Sequence, residues 1–386
     1  MKHICHILTT FQQRASITRR TTAILKECVA QGFQTSLIIG ADNDAPPIEG
    51  VETIIIPGLH KHVSPANDLK AYQACKKVLQ QLKPDIVHTH QAKAGVLGRL
   101  AASKINKTPH ILHTIHGPTF PQHLPATPRL VYRNLERLTG RVTDKFVFIG
   151  EELKQEYIQA GVCHEDNSVI IRTGKPDNLL NRKPISDSER EKLRQELCSG
   201  QSPHYLMTYI ARIVPGKQHE HAIEILHQLR AQGLDVHLSF VGKALIEKEL
   251  DYEQRLKTMV RQLGLEAYVH FSGFYNNVYD VMEASDLVIM TSSYEGLSNI
   301  VIESMLLKIP VMAYEVAGLK ELFGSQFEQF TVKQGDIQGF VNKAAGILRM
   351  GYTRDIYLPE IVERLRAEHQ LKTMLERKMN LYRTLN

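Results

Sequence analysis

Short apolar runs alternate with longer helical patterns along most of this chain, and that alternation constrains the fold more than any other feature. Each run is rich in Ile, Val or Leu and is bounded by Gly, Pro, Asn or Asp. The first series of strand-like runs comprises Ile4–Leu8, Thr35–Ile39, Glu52–Ile56, Asp85–His88, His110–Ile115, Lys145–Ile149 and Ser168–Arg172. Helical patterns such as Thr21–Gln31 and Asp68–Leu82 lie between them. Buried strands separated by helices predict a parallel sheet with helices on both faces.

A second series follows a polar, charged stretch at residues 178–191. Its strand-like runs are Tyr205–Ala211, Val236–Val241, Tyr268–Phe271, Asp286–Met290 and Pro310–Ala313. With 386 residues, the chain is too long for one typical core. We therefore expect an α/β protein with two Rossmann-like, doubly wound parallel-sheet domains, residues 1–184 and 185–357. The last segment, 358–386, is expected to be helical and could cross back to the N-terminal domain.

Composition narrows the class of protein. The five cysteines are scattered and odd in number, which fits neither a disulfide framework nor a zinc site and predicts a reducing, cytoplasmic compartment. No apolar run could span a bilayer, and the first residues do not resemble a signal peptide. The net charge is +6, but residues 1–184 carry 24 Lys and Arg against 15 Asp and Glu. This basic half suits an anionic substrate or membrane surface; nucleic acid is not expected, because no arginine cluster is interleaved with aromatic residues.

Two glutamates flank the start of a predicted helix in the second half. Glu295 ends a strand-like run, and Glu303 lies within the helix that residues 296–299 should open. Helix N-termini attract anions and carboxylates accept hydrogen bonds from hydroxyls, so this loop suits a phosphate ester of a sugar. The ordinary alternative is one solvated glutamate and one on a helix face.

Other polar residues follow strand ends. Arg212 and Lys217 flank a Pro-Gly turn and could converge on one anion, or they could be two solvated cations. His88 and His90 have strand spacing that can suit a metal, but no nearby carboxylate or cysteine completes a set, so no metal site is expected. His116 precedes a Gly-Pro turn, where it could contact a ligand or simply cap its strand.

These motifs, in this order, resemble those of the family 4 glycosyltransferases of the GT-B fold, in which two domains face each other across a cleft. The resemblance covers most of residues 80–325. It rests on the segments Val87–Arg99, His113–Gly117, Ala211–Lys217, Phe271–Phe274, Glu295–Met305 and Gly318–Glu321, with Asp286-Leu and Pro310-Val.

The resemblance implies a role for each candidate residue. Arg212 and Lys217 should hold the diphosphate of a UDP-, GDP- or ADP-sugar, and Glu303 should bind the ribose hydroxyls. Glu295 and His116 should contact the transferred sugar. The remaining donor-binding residues are implied to be Phe274 beside the nucleobase, and Gly296, Leu297, Ser298 and Asn299 through their backbone N–H groups. Retention of anomeric configuration without a metal is also implied.

Two segments depart from the family pattern. The loop from Thr9 to Ser16 has no glycine, so either a side chain such as Arg14 or Ser16 replaces backbone contacts to the donor phosphate, or the loop recognises the acceptor. In the second segment, Arg172-Thr-Gly stands where relatives often have Asn-Gly.

The predicted function is hexosyl transfer to a glycan or lipid-linked acceptor, in bacterial cell-surface polysaccharide or lipopolysaccharide synthesis. A binding or scaffold protein of the same fold and a nucleotide-sugar epimerase are the alternatives. An NAD oxidoreductase is not expected, since no Gly-X-Gly-X-X-Gly follows the first strand. Basic residues recur every fourth position from Arg129 to Lys145, which indicates either a solvated helix face or contact with an anionic inner-membrane surface.

Overall fold

The computed structural model describes residues 1–13, 15–121, 124–351 and 355–385. Arg14, one candidate for donor phosphate contact, lies outside these residues. The chain forms two compact units: residues 1–174 with 369–386, and residues 175–368. The first boundary therefore lies between Gly174 and Lys175. The sequence analysis placed this boundary ten residues later, after residue 184.

The first unit is built on a seven-stranded sheet in the order β3-β2-β1-β4-β5-β6-β7, and every pair is parallel. Its strands are β1 (His3–Leu8), β2 (Gln34–Gly40), β3 (Val51–Ile56), β4 (Ile86–His90), β5 (His110–Ile115), β6 (Lys145–Phe148) and β7 (Ser168–Ile170). Its helices are α1 (Ser16–Ala30), α2 (Pro65–Leu82), α3 (Ala92–Ala102), α4 (Ala126–Gly140) and α5 (Glu151–Gln159). All seven strands were predicted, with small shifts at their ends.

The second unit has a six-stranded sheet in the order β10-β9-β8-β11-β12-β13, also parallel throughout. Its strands are β8 (Tyr205–Ile210), β9 (Val236–Val241), β10 (Val269–Gly273), β11 (Leu287–Met290), β12 (Val311–Tyr314) and β13 (Thr331–Val332). The sequence analysis missed β13, because two residues are too few to show a strand pattern.

Helices cover this second sheet. They are α6 (Asp177–Leu180), α7 (Asp187–Leu197), α8 (His219–Ala231), α9 (Glu247–Gln262), α10 (Val278–Ala284), α11 (Asn299–Leu306), α12 (Leu319–Phe323), α13 (Phe327–Phe330), α14 (Ile337–Arg349) and α15 (Pro359–Glu368). The prediction of two Rossmann-like parallel-sheet domains is thus confirmed.

The C-terminal segment forms two helices, α15 and α16 (Leu371–Thr384), rather than one continuous stretch. Helix α15 belongs to the second unit, whereas α16 belongs to the first. Met374, Met379 and Tyr382 of α16 are buried in an apolar cluster that includes Ile4 of β1 and Cys28 of α1. The last helix is therefore part of the core of the first unit.

Candidate functional site

The second sheet changes direction between β8 and β11, because these neighbours in space are separated by two other strands in sequence. In open parallel sheets, ligands bind at such a switch point, outside the carboxyl ends of the strands. The loops that leave β8 and β11 carry Arg212, Lys217 and Glu295. The fold thus places three predicted site residues in the two loops that flank the expected crevice.

Hydrogen bonds lock these two loops together. The backbone N–H and hydroxyl of Ser293 both donate to the carbonyl of Gly216, each at 3.0 Å. The hydroxyl of Thr291 donates to the backbone carbonyl of Gln218 at 2.8 Å. The hydroxyl of Tyr209 donates to the backbone carbonyl of Lys217. The backbone on which Lys217 and Glu295 stand is consequently fixed before any ligand binds.

Lys217 and Glu295 form an ion pair between Nζ and Oε1. Their side chains are 26% and 19% exposed, so both remain within reach of a ligand. The sequence predicted that both residues belong to one site but not that they contact each other. Glu295 keeps the Lys217 ammonium in place above the loop.

Arg212 binds a different carboxylate. Its Nε lies 2.9 Å from Oε2 of Glu249 and its Nη2 lies 2.5 Å from Oε1, which is a two-pronged contact with helix α9. Arg212 and Lys217 are therefore each oriented by a separate glutamate. Glu249 was not predicted, since nothing in the sequence distinguishes it from the other acidic residues of α9.

The start of helix α11 offers unpaired donors. The hydroxyl of Ser298 accepts a hydrogen bond from the N–H of Val301 and caps the helix. Within the part of the chain that the structure describes, the N–H groups of residues 296–299 have no acceptor. Several free N–H groups at a helix N-terminus form an anion-binding surface.

Glu303 lies one turn after Asn299 on the same helix face. Lys175 donates from Nζ to Oε1 of Glu303 and to Oδ1 of Asn299, both at 2.7 Å. The i, i+4 spacing places both acceptors within reach of one ammonium group. The sequence analysis missed Lys175, although it noted the unusual Arg-Thr-Gly segment just before it.

Two further loops at this edge carry Gly242, which follows β9, and Phe274, which follows β10. A Cβ at Gly242 would lie 1.8 Å from the carbonyl oxygen of Ala211, and its φ is +155°, so only glycine fits beside the β8 loop. Phe274 follows β10 directly and is 40% exposed. An exposed aromatic ring at the carboxyl edge of the sheet can stack on a planar group.

His116 lies at the carboxyl end of β5 in the first unit, within a buried histidine cluster. His90 Nδ1 is 3.1 Å from His116 Nε2, and His6 Nδ1 is 3.0 Å from His90 Nε2. Burial lowers the pKa of His116 well below its usual range, and the cations of Arg20 and Lys378 lower it further. His116 is therefore neutral at pH 7.

The structure adds His6 to the predicted pair His88 and His90. One ring nitrogen from each of the three lies within 4.8 Å of the others, a spacing that could hold a metal ion. A second such group consists of Cys198, His237 and His270. In each group two of the imidazoles already share a hydrogen bond of 3.0 Å.

The glycine-free loop after β1 is held by Gln91. The side-chain oxygen of Gln91 accepts hydrogen bonds from the N–H groups of Thr9 and Thr10, at 2.8 and 3.0 Å. These amides are therefore occupied, and backbone contact to a phosphate at this point would require Gln91 to move. Ser16 begins α1 and accepts a long hydrogen bond of 3.4 Å from Arg20.

The basic stripe on α4 is less exposed than its spacing indicated. Arg137 is tied to the carbonyl of Ala160 at 2.6 Å, and Lys145 lies in β6, bound to the carbonyl of Asp166. Leu130, Val131 and Leu138 of the same helix are 47, 51 and 49% exposed. The solvent-facing surface of α4 is thus partly apolar.

Family models match both halves of the chain. The model described as Glycosyltransferase Family 4 matches residues 17–174, and the model described as Glycosyl transferases group 1 matches residues 190–357. The two matches fall on the two structural units, on either side of the Gly174–Lys175 boundary.

Two curated relatives are similar over about three quarters of their own length. A UDP-Gal:α-D-GlcNAc-diphosphoundecaprenol α-1,3-galactosyltransferase of Escherichia coli is 24% identical over 76% of this chain and 74% of its own. The capsular polysaccharide biosynthesis glycosyltransferase CapM of Staphylococcus aureus is 23% identical over 75% of this chain and 73% of its own.

Among solved structures, Anabaena HepE in complex with UDP and glucose matches with a TM-score of 0.79 and 21% identity, with all of both chains covered. A second match is WaaG, a glycosyltransferase involved in lipopolysaccharide biosynthesis, with a TM-score of 0.74 and 13% identity, over 98% of this chain and 99% of its own. At this identity the likeness establishes the fold, which is GT-B.

Proposed function

Because this chain belongs to the family 4 glycosyltransferases, we propose that it transfers a hexose from a nucleoside diphosphate sugar to a glycan or lipid-linked acceptor, with retention of configuration. The main support is the start of α11, where the unpaired N–H groups of residues 296–299 lie between Glu295 and Glu303. Anion-binding amides flanked by two hydroxyl-binding carboxylates suit a sugar phosphate.

The proposal gives each group of the second unit one task. Arg212 and Lys217 bind the diphosphate, and the N–H groups of α11 add positive potential beside it. Glu303 accepts hydrogen bonds from the ribose hydroxyls, and Phe274 borders the base. Glu295, which holds Lys217 in place, also accepts from a hydroxyl of the sugar. HepE binds UDP and glucose, which makes a uridine nucleotide the first donor to test.

The chemistry needs charge stabilisation at the leaving group. As the bond between the anomeric carbon and the phosphate oxygen breaks, negative charge grows on the diphosphate, and fixed cations stabilise it. The acceptor hydroxyl forms its bond to the same face of the anomeric carbon, and its proton passes to the departing phosphate oxygen. No divalent ion is needed for this step, because Arg212 and Lys217 supply the positive charge. Neither glutamate serves as a nucleophile.

The first unit is proposed to bind the acceptor. A groove of about 550 Å³ between α2, α3 and α4 is lined mainly by apolar side chains, together with Lys61, Lys93, Asp68 and Glu136. Lys93 is paired with Asp68 at 2.6 Å. Apolar walls and the ammonium group of Lys61 suit a lipid chain that carries phosphate. No helix in the described residues is long and apolar enough to cross a membrane. We propose that α4 contacts the cytoplasmic face of the inner membrane instead, and that the pathway is cell-surface polysaccharide or lipopolysaccharide synthesis.

Binding and turnover of donors test this function. UDP-glucose and UDP-galactose should raise the melting temperature, whereas GDP- and ADP-sugars should not, because only a ligand of the folded state stabilises it.

Lys217→Met should weaken UDP binding about 10- to 100-fold, since one charge-assisted hydrogen bond contributes about 1.5–3 kcal/mol. Calorimetric titration with UDP measures this, and EDTA should leave both binding and slow donor hydrolysis unchanged.

Glu295→Gln separates an enzyme from a binding protein. It should retain UDP binding but lose donor hydrolysis and sugar transfer, whereas Glu266→Gln, on an exposed surface, should resemble the wild type. Failure to bind any nucleotide would contradict the proposed site. Tight binding without turnover, with or without acceptor extracts, would favour a binding protein, and a covalent sugar on either glutamate would exclude same-face attack.

A further inference from the structure

A continuous chain of hydrogen-bonding side chains joins buried Lys378, on the last helix, to His116. Every member lies in the first unit, and all except His116 are less than 5% exposed. From Lys378 to Tyr382, the contacts are Lys378 Nζ to Thr114 Oγ1 at 3.1 Å, Thr114 Oγ1 to His88 Nε2 at 2.7 Å, and His88 Nδ1 to the Tyr382 hydroxyl at 2.6 Å. From Tyr382 to His116, they are the Tyr382 hydroxyl to His6 Nε2 at 3.4 Å, His6 Nδ1 to His90 Nε2 at 3.0 Å, and His90 Nδ1 to His116 Nε2 at 3.1 Å.

The charged end of this series of side chains determines which group donates in each hydrogen bond. An ammonium group can only donate, so Thr114 accepts from Lys378. Among the described residues, the only other partner of the Thr114 hydroxyl is His88 Nε2, so the hydroxyl hydrogen points to that nitrogen. A neutral imidazole that accepts at Nε2 must carry its proton at Nδ1, and His88 therefore donates to the Tyr382 hydroxyl.

The same rule, that a neutral imidazole donates from one nitrogen and accepts at the other, assigns the remaining hydrogen bonds as far as His116. Tyr382 donates to His6 Nε2, so His6 donates from Nδ1 to His90 Nε2. His90 then donates from Nδ1 to Nε2 of His116. His116 must therefore carry its own proton at Nδ1. Among the residues that the structure describes, this buried nitrogen has no hydrogen-bond partner.

The reverse orientation leaves a donor unused. It would make Thr114 accept from both Lys378 and His88, and its buried hydroxyl hydrogen would then have no acceptor in the described residues. An unsatisfied buried donor costs about 1–3 kcal/mol. A metal held by His6, His88 and His90 would replace these hydrogen bonds and would add a cation near Lys378, which lies two contacts from His88.

We propose that Lys378 is a positioning residue that acts through this chain: it fixes His116 in the form protonated at Nδ1, so that His116 donates a hydrogen bond to an oxygen of the transferred sugar. The second half of this inference rests on the proposed function, whereas the protonation of His116 does not. A cavity of about 10 Å³, the size of one water molecule, lies beside Lys378, His90 and His116, so the cluster has no room for a phosphate in this state.

The charge on Lys378 is poised near neutral pH. Burial, and then repulsion from Arg20, lowers its pKa to about 7. Among the described residues, the charged or titratable groups that face Lys378 and its cavity are Arg20 and Cys28 of α1, His6 of β1, His88 and His90 of β4, His116 after β5, and Arg172 after β7. Among the described residues that line the cavity there is no carboxylate to retain the proton as the pH rises, and Cys28 raises the pKa by less than burial and Arg20 lower it.

Nuclear magnetic resonance of histidines labelled with ¹⁵N reports the proton position directly. The His116 signals are assigned by their loss in His116→Asn. At pH 6 the wild type should show a protonated Nδ1 and a bare Nε2 at His116. Lys378→Met should weaken this preference, and Tyr382→Phe, which removes one link but keeps the ring, should do the same. Lys372→Met, on the exposed side of the same helix, should leave the signals unchanged.

Three results would overturn the inference. One is a proton at Nε2 of His116 in the wild type, and another is an unaltered Nδ1 proton in both Lys378→Met and Tyr382→Phe. The third is stoichiometric zinc in the purified protein with shifted His6, His88 and His90 signals. If Lys378→Met does not fold, Tyr382→Phe alone decides.

Kinetics test the link to the sugar. In Lys378→Met, transfer should fall about 10-fold in kcat with UDP affinity unchanged, as expected when one hydrogen bond to the reacting sugar is lost. A change in UDP affinity alone would contradict a role at the sugar. Absence of transfer by the wild type with every donor would contradict the proposed function but leave the spectroscopic result in force.

Discussion

At the scale of single residues, the ion pair between Arg99 and Glu136 shows how burial changes the meaning of a motif. Arg99 ends the segment Val87–Arg99 that helped to indicate the family. Its guanidinium is fully buried and lies 2.7 Å from Oε2 of Glu136, which is 2% exposed, and it also donates to the carbonyl of Gly95. The pair joins α3 to α4, so this arginine supports the fold.

Removing one partner of that pair should destabilise the protein strongly. Glu136→Ala leaves a buried guanidinium without its carboxylate and should lower the free energy of unfolding by about 3 kcal/mol, measured by urea denaturation. Lys372→Ala is the matched surface control, because Lys372 is 84% exposed and lies 4.0 Å from Glu376. It should change the stability by less than about 0.5 kcal/mol. Equal effects in the two variants would contradict this account.

At the scale of elements, α4 shows the limit of reading charge from spacing. The period of four in its basic residues predicted a cationic face, but the structure uses Arg137 to bind a carbonyl and leaves leucines and a valine exposed. Exposed apolar side chains with arginines on the same helix suit the interface of an anionic membrane. Association with such a surface would then depend on both kinds of side chain.

Vesicle binding tests that role of α4. The wild type should co-sediment with vesicles that contain phosphatidylglycerol and much less with phosphatidylcholine alone. The double variant Leu130→Ser, Val131→Ser should bind about 30-fold more weakly or worse, because it loses two apolar contacts of about 1–2 kcal/mol each. Leu69→Ser, at an exposed leucine of α2, is the control. Binding that ignores lipid charge, or an unaffected double variant, would contradict the proposal.

At the scale of the whole molecule, buried histidines set the response to acid. Burial lowers the pKa of His6 and His219 to about 3 and that of His270 to about 4. The usual histidine pKa of 6.5 applies in the unfolded chain, so below that pH the unfolded state binds more protons than the folded one. Stability must therefore fall as the pH falls from about 6.5 towards 4.

The substitution His219→Phe measures how much one histidine contributes to the loss of stability at low pH. Neither ring nitrogen of His219 has a hydrogen-bond partner in the described residues, and the ring stacks on Tyr209 with centroids 4.7 Å apart. Phenylalanine should keep the packing and reduce the stability lost between pH 6.5 and 5 by roughly 2 kcal/mol, measured by urea denaturation at each pH. An unchanged pH dependence would show that His219 does not take up a proton on unfolding.

Much of the candidate site in the second unit could be predicted, because its signals are local. A strand, a short loop and a helix start follow one another in sequence, so Glu295, Ser298 and Glu303 could be placed without tertiary information. The residues that pair with the site residues could not be predicted in this way. Lys175 meets Glu303 across 128 positions of the chain, and Glu249 meets Arg212 across 37. No periodicity connects residues at such separations.

The sequence by itself determined the two parallel-sheet domains, the positions of nearly all strands along the chain and the family, since these signals lie within short segments or in the order of motifs along the chain. Only the tertiary structure decided that the last helix belongs to the first unit, that its Lys378 and Tyr382 join a hydrogen-bonded series with four histidines, and that Arg212 and Lys217 each pair with a separate carboxylate. Those contacts arise from packing between distant segments, where burial and distance determine which groups pair and which proton each one holds.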